Sequence, residues 1–324
     1  MHVAVETLQL KTPFRISGYT FETIPVLLVE VAQGNVRGRG EASGVYYFND
    51  DTEKMARAVE RCRSPIEDGV SRTELRALMP AGGGRNAVDC ALWDLEAKLA
   101  GLAAWQLAGL GGVTPLVTTF TLGAEPPESM AASAIACQGT RALKLKLSGD
   151  VDLDVERVRA VRAVRPDVVL SVDANQGYMR DSLERLIPAL VAARVVLLEQ
   201  PLPRGRESDL DDHTCPIPLA ADESVQTLSD IEGLIGRFDA INVKLDKCGG
   251  LTEALLMIRE GRRVGLKTMV GNMMGSSLAM APAFVAGQLC DYVDLDGPTL
   301  LARDRQPSVT YERGTIWCSQ QVWG

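Results

Sequence analysis

In this chain the acidic residues that stand out are those on which apolar runs stop. Apolar stretches at residues 168–172, 195–198 and 219–221 finish at Asp173, Glu199 and Asp222. A strand buried on both faces has no reason to end on a charge unless the charge is used. Three carboxylates ending three successive strands stand side by side on one rim. Hard oxygen ligands of that kind suit magnesium (Mg2+), which keeps positions open for waters or a substrate carboxylate. Each acid taken alone reads as a helix N-cap or a solvated loop residue; the register of all three favours a metal.

The lysines form a second constellation. In Ala142-Leu143-Lys144-Leu145-Lys146-Leu147 the alternation puts Lys144 and Lys146 on one face of a strand, and in a barrel that face can be the interior. Burying two like charges there is expected to lower both pKa values and so make a lysine a usable base. The plain alternative is the solvated face of an edge strand. Lys244 ends the run Ile241-Asn242-Val243 four strands later, hence across the barrel. Two bases on opposite sides of one carbon can exchange its proton between faces. Asp294 and Asp296 also share a face; as a lone motif they read as turn chemistry, and at the end of the last strand they can hold an ammonium group. The two histidines, His2 and His213, end no strand, so a zinc site or a Ser-His-Asp triad has no material.

The elements that must position these groups follow from periodicity. Residues 3–10 and 25–31 read as antiparallel strands, with a turn-rich loop at 11–23 between them. Residues 51–63, 72–79 and 85–100 have helical spacing, which completes a small α+β unit. From Leu116 the rhythm becomes strand, turn, amphipathic helix. Strands are expected at 117–122, 142–147, 168–172, 195–198, 219–221, 240–243, 266–270 and 292–295, with helices such as 153–164, 182–193 and 252–262 between them. Eight such starts are what a closed parallel β/α barrel requires; an open doubly wound sheet is the alternative. Residues 308–318 are rich in β-branched and aromatic side chains and are expected to return to the N-terminal sheet.

Bulk properties narrow the partners. A net charge of -8 and the lack of a basic cluster argue against nucleic acid. No long uncharged apolar run or signal peptide is visible, so the expectation is a cytoplasmic protein that meets no membrane. Seven scattered cysteines with no CxxC pair signal reduced thiols rather than a disulfide framework. The sequence leaves a homo-oligomer open.

The motifs LKLKL (143–147), SVDAN (171–175), LEQPLP (198–203), AADES (220–224), NVKLDKCGGL (242–251) and DLDGPT (294–299) resemble, in order and spacing, those of the dipeptide epimerases of the enolase superfamily, typified by L-Ala-D/L-Glu epimerase, in its muconate-lactonizing subgroup. The resemblance runs through the whole chain, including residues 80–95, which are similar to the family's link between domains. It implies an α/β fold, a modified (β/α)7β barrel of the TIM type carrying an N-terminal α+β capping domain. The corresponding segments are 1–112 for the cap, 113–300 for the barrel and 301–324 for a C-terminal segment returning to the cap. It implies that Asp173, Glu199 and Asp222 ligate Mg2+, that Lys146 and Lys244 are the acid/base pair, and that Lys144 assists electrostatically beside Lys146. Asp294 and Asp296 would hold the α-ammonium of a small-molecule dipeptide substrate, and Thr119 is similar to a substrate-contacting threonine. A lysine base working with magnesium through an ene-diolate is a general property of the superfamily.

One departure from the family pattern bears on specificity. The arginine that holds a substrate glutamate in L-Ala-D/L-Glu epimerases falls at or near Phe21, with Arg15 and Arg39 elsewhere. An aromatic residue there favours an apolar side chain over a carboxylate. Competing expectations are an N-acylamino acid racemase or o-succinylbenzoate synthase with the same lysines, a Schiff-base aldolase using one lysine and no metal, and a non-catalytic barrel.

Overall fold

Three antiparallel strands open the chain: β1 (His2–Ile16), β2 (Tyr19–Gln33) and β3 (Val36–Ser43). This computed structural model describes residues 1–16, 18–212 and 214–324; Ser17 and His213 lie outside the described residues. The expected loop at 11–23 is a correction: outside Ser17 it is the far half of the β1–β2 hairpin, pairing Phe14 with Phe21 and Ile16 with Tyr19 beyond a register shift between Gln9 and Phe14. Pro13 falls within that irregularity, where no ladder N–H is demanded of it. Strand β3 went unforeseen because its Gly38 and Gly40 read as breakers. They are close-approach residues: an added Cβ at either would come 2.0 Å from the carbonyl oxygen of Ala91 or Ala87.

Helices α1 (Thr52–Arg61), α2 (Arg63–Glu67), α3 (Arg72–Leu78) and α4 (Gly83–Ala100) follow, then the single turn α5 (Ala104–Leu107). Helix α4 is buried along almost its whole length and packs against β3. Its polar residues reach the barrel: the Asn86 amide donates to Asp246, Asp89 accepts from the Thr252 hydroxyl and backbone N–H, and the Arg85 guanidinium donates to the Cys248 and Gly249 carbonyls.

After the short β4 (Leu116–Val117) the barrel begins with β5 (Thr119–Leu122), α6 (Pro127–Ala136), β6 (Ala142–Lys146), α7 (Val151–Val164), β7 (Val169–Asp173), α8 (Arg180–Ala192) and β8 (Val195–Glu199). Strands β9 (Leu219–Ala221) and β10 (Ala240–Lys244) are each preceded by a 3-10 segment. Then come α9 (Leu245–Cys248), α10 (Leu251–Arg263), β11 (Lys267–Gly271), α11 (Ser277–Gly287) and the two-residue β12 (Tyr292–Val293), after which a 3-10 turn replaces the last helix. The eight strands β5 to β12 form one parallel sheet in sequence order, so the barrel architecture is the observed one and the open doubly wound sheet is not.

Side chains stitch the seam between β12 and β5. The Leu295 N–H donates to the Thr118 hydroxyl at 2.9 Å, the Thr121 N–H donates to Asp296 at 2.6 Å, and the Thr119 hydroxyl donates to Asp294. The tail is a second correction: β13 (Thr310–Glu312) and β14 (Thr315–Trp317) do not join the N-terminal sheet. Strand β14 pairs with β4, whose exposed edge lies outside the barrel ladder. The tail touches the cap through other contacts. The Ala302 N–H donates to the Gln9 carbonyl, the Trp323 indole to the Arg39 carbonyl and the Gly324 N–H to Asp94.

Candidate active site

The strand register puts Lys146, Asp173 and Glu199 in one row, with Asp222 one residue past β9. The three carboxylates are buried and each offers an oxygen within 4.8 Å of the others. Lys144 lies inside the barrel, its ammonium 2.7 Å from Glu199, 2.8 Å from Asp294 and 3.2 Å from Asp173. Lys146 is 2.6 Å from Asp173, and Lys244, on the far side, is 2.6 Å from Asp222. Both outer lysines, together with Lys144, Asp222, Asp294 and Asp296, line a cavity of about 410 Å³.

Burial alone would raise the Asp173 carboxyl, but Lys146 and then Lys144 override it and hold it at about 2. Glu199 goes the other way, to about 7, because burial and the neighbouring Asp173 outweigh Lys144. Asp222 is pulled well below the usual carboxylate range: its burial opposes this, and Lys244 and Lys247 prevail. The expected lowering of the Lys144 pKa is a correction: burial pushes it down, yet the carboxylates facing it push harder, so it stands above an ordinary lysine, and Lys244 does the same for the same reason. The sequence pattern reveals the like charges of KxK but not the acids that surround them.

The donor set suits magnesium. Three clustered carboxylate oxygens supply hard ligands with room in an octahedron for others. Close by, Asn175 Oδ1 and Glu223 Oε2 are buried acceptors without a partner, as expected where further donors such as metal-bound waters belong. Asp173, Glu199 and Asp222 would hold the ion.

The remaining expected site residues are placed unevenly. Asp294 is committed to Lys144 and Thr119, and one oxygen of Asp296 to the Thr121 N–H, so this pair braces the barrel seam as well as facing the cavity. Thr119 is spent on Asp294, and it is Thr121 that lines the cavity. Phe21 lines it as well, within an aromatic group whose ring centres lie 5.6 Å (Phe21 to Tyr46) and 4.4 Å (Tyr19 to Tyr46) apart. Arg15 pairs with Glu125 and Arg39 with Asp94. Sequence reasoning missed Lys247 and Asn242. The Lys247 ammonium donates to Asp222 Oδ1 and to its carbonyl, each at 2.6 Å, and the Asn242 amide donates to Glu199 at 2.7 Å. The signal was present in Asn242-Val243-Lys244-Leu245-Asp246-Lys247, where a second lysine follows the first by three residues. Tyr46 and Tyr47 of the cap were missed too, since nothing in their spacing ties a 3-10 turn at 46–48 to the barrel.

A parallel barrel with acids and lysines on its C-terminal rim, covered by an α+β cap, defines a class of proton-transferring lyases and isomerases. Residues 1–109 match the mandelate racemase / muconate lactonizing enzyme N-terminal domain, and residues 128–320 match the enolase C-terminal domain-like family. The chain belongs to the mandelate racemase / muconate lactonizing enzyme family of the enolase superfamily. It is 36% identical to the L-Ala-D/L-Glu epimerase of Escherichia coli, over 96% of this chain and 97% of that one. It is 35% identical to an N-acetyl-D-glutamate racemase of a Pseudoalteromonas species, over 92% and 95%. Among solved structures it resembles an Agrobacterium tumefaciens enolase family member with homology to dipeptide epimerases, solved with sodium and L-Ala-L-Glu (39% identity, TM-score 0.96, 100% and 99% covered). It also resembles the Methylococcus capsulatus dipeptide epimerase complexed with Mg and L-Arg-D-Lys (31% identity, TM-score 0.91, 99% and 98% covered).

Proposed function

We propose that this protein is a magnesium-dependent dipeptide epimerase that inverts the α-carbon of the C-terminal residue. The observation that carries this reading is the pair Lys146 and Lys244, on β6 and β10, lining one cavity beside three clustered carboxylates. One lysine, as the neutral amine, takes the α-proton; the electron pair left behind spreads into the substrate carboxylate as an ene-diolate. The other, as an ammonium, returns a proton to the opposite face. Lys144, fixed by three carboxylates, contributes positive charge beneath the reacting carboxylate. Asp173, Glu199 and Asp222 would hold a magnesium ion, which would supply positive charge beside the reacting carboxylate and offset the acids that hold the lysines protonated.

The cap supports a finer reading. Phe14, Ile16, Phe21 and Tyr46 line the cavity, and no lysine or arginine of the cap joins them among the described residues. We read the C-terminal residue of the substrate as apolar rather than glutamate. The free cysteines fit a reducing compartment, the cytoplasm. Residues 1–112, 113–300 and 301–324 are our division into cap, barrel and returning tail.

A second reading, an N-acylamino acid racemase, is favoured by the commitment of the Asp294 and Asp296 oxygens to the seam, which leaves less for a substrate ammonium. Incubating the protein and magnesium with L-Ala-L-Xaa dipeptides and their N-acetylated counterparts, followed by chiral separation, tests both. Epimerisation of free dipeptides supports the main reading. Turnover of acetylated substrates alone would replace it with the second.

A further inference from the structure

We infer that the Tyr47 phenol donates a hydrogen bond to the carboxylate of the bound substrate, making this cap residue a catalytic group; the role rests on the epimerase reading above. Tyr47 sits in the 3-10 turn Tyr46–Phe48 and lines the cavity opposite the barrel rim. Its ring is wedged edge-on between Tyr46, at 5.0 Å between centres, and Phe48, at 4.8 Å. The Arg204 guanidinium, from the loop after β8, lies over Phe48 at 4.9 Å, so the barrel itself braces the turn. A ring held on both sides has its hydroxyl aimed by the packing.

That hydroxyl is buried and has no hydrogen-bond partner. Proteins rarely leave such a group unpaired; an ordered water, an ion or a ligand completes it. Its charged neighbours indicate which end of the cavity it faces. After burial itself, Asp222 and Glu223 do most to keep the phenol protonated, with Glu199 contributing less. These acids belong to the end where the substrate carboxylate must lie for its α-carbon to sit between Lys146 and Lys244. Asn175 Oδ1 and Asn242 Oδ1 are also buried and unpaired, but both are acceptors; Glu223 Oε2, the fourth such atom among the described residues, belongs to a carboxyl whose other oxygen accepts from Asn175. Of these unpaired groups the Tyr47 phenol is the one that is a hydrogen-bond donor without depending on the protonation of a carboxyl, and a carboxylate needs a donor. When the Cα–H bond breaks and its proton passes to a lysine, the electron pair moves onto the carboxylate oxygens. The Tyr47 hydrogen bond then strengthens as charge develops, with its own proton retained throughout.

The test uses Tyr47→Phe in the full chain with magnesium and a dipeptide that the wild type turns over. The expected result is a fall in kcat of about 100-fold. The loss in kcat/KM is equal for both epimers, since their ratio is fixed by the equilibrium between them. KM should stay within about threefold, and magnesium affinity by calorimetry should be unchanged. A kcat within about threefold of wild type would overturn the role; a small movement pairing Tyr47 with Glu223 would then account for the hydroxyl. Should the variant melt early, Tyr47→3-fluorotyrosine keeps the ring and hydroxyl and alters only its acidity. In that protein a changed kcat supports the role and an unchanged one removes it. A wild type inert toward every dipeptide would sink the epimerase reading itself, and this role with it.

Discussion

The barrel rim and the inner wall of the cap close over one cavity but are built on opposite principles. On the rim nearly every group is charged and held by others: Lys144 by three carboxylates, Asp222 by Lys244 and Lys247, Glu199 by Lys144 and Asn242. On the cap side Phe14, Ile16, Phe21 and Tyr46 contribute rings and methyls to the cavity, and Ser43, Asn49, Asp50, Asp51 and Thr52 add a polar margin. A cross-bonded charge network fixes geometry, which proton transfer needs, because each member is positioned by two or three others. An apolar wall imposes shape with few directional bonds and can change its occupant at small cost. Proton transfer therefore belongs to the rim and the choice of side chain to the apolar wall of the cap, with Tyr47 the cap residue that reaches the reacting carboxylate.

The comparison breaks most sharply at the lysines. Lys146→Ala and Lys244→Ala should each lower epimerisation about 1000-fold or more. Each variant should still exchange the α-proton of one epimer, a different one in each, as read by NMR in deuterated water. Loss of exchange for both epimers in both variants would contradict separate faces. Next in size is the metal: Glu199→Gln keeps the shape and removes a charge, and magnesium affinity by calorimetry should fall about 100-fold with the fold retained. Chelation of the wild type should abolish turnover reversibly.

Substitutions on the apolar wall of the cap should act on choice rather than chemistry. Phe21→Arg should shift kcat/KM by about tenfold toward dipeptides ending in glutamate, at the expense of apolar ones. A uniform loss over all dipeptides would mean that Phe21 supports the hairpin rather than the substrate.

The smallest effect lies where cap and barrel meet. Burial pushes the Asp246 carboxyl up to about 7 against the hydrogen bonds from the Ser43 N–H and Asn86, both made to Oδ1. Unfolded, it ionises near 4, so between about pH 4 and 7 the folded chain holds a proton that the unfolded chain has released. Its contribution to stability therefore falls as pH rises through that window. Asp246→Asn keeps the Oδ1 acceptor and removes the titration. Its stability relative to wild type, from urea unfolding, should climb from pH 4 to 7 by on the order of 2 kcal/mol.

The same division between rim and cap explains what could be read without coordinates. Strand ends on the rim were legible because a buried parallel strand that stops on a charge is unusual, and the βα period put Asp173, Glu199 and Asp222 on consecutive strands. The facing of Lys144 and Lys146 followed from alternation. The direction of the Lys144 shift did not, since it depends on Glu199 and Asp294, which only the closed barrel brings to it. The hairpin at 11–23 was hidden by Pro13 and Gly18, and β3 by its glycines, whose purpose is the packing of α4. The tail partner was obscured because any exposed strand edge would serve, and β4 is two residues long. Tyr47 carried no local signal, because its meaning lies in a cavity formed by the other domain.

The central claim is that two lysines address opposite faces of one carbon. One measurement tests it directly: start from a single dipeptide epimer in deuterated water with magnesium, stop at low conversion, separate the epimers and determine the deuterium at the α-carbon of each. The account predicts a product epimer that carries solvent deuterium in nearly every molecule, because the lysine that delivers its proton is not the one that removed it. A product that retains the substrate's own α-hydrogen would contradict it.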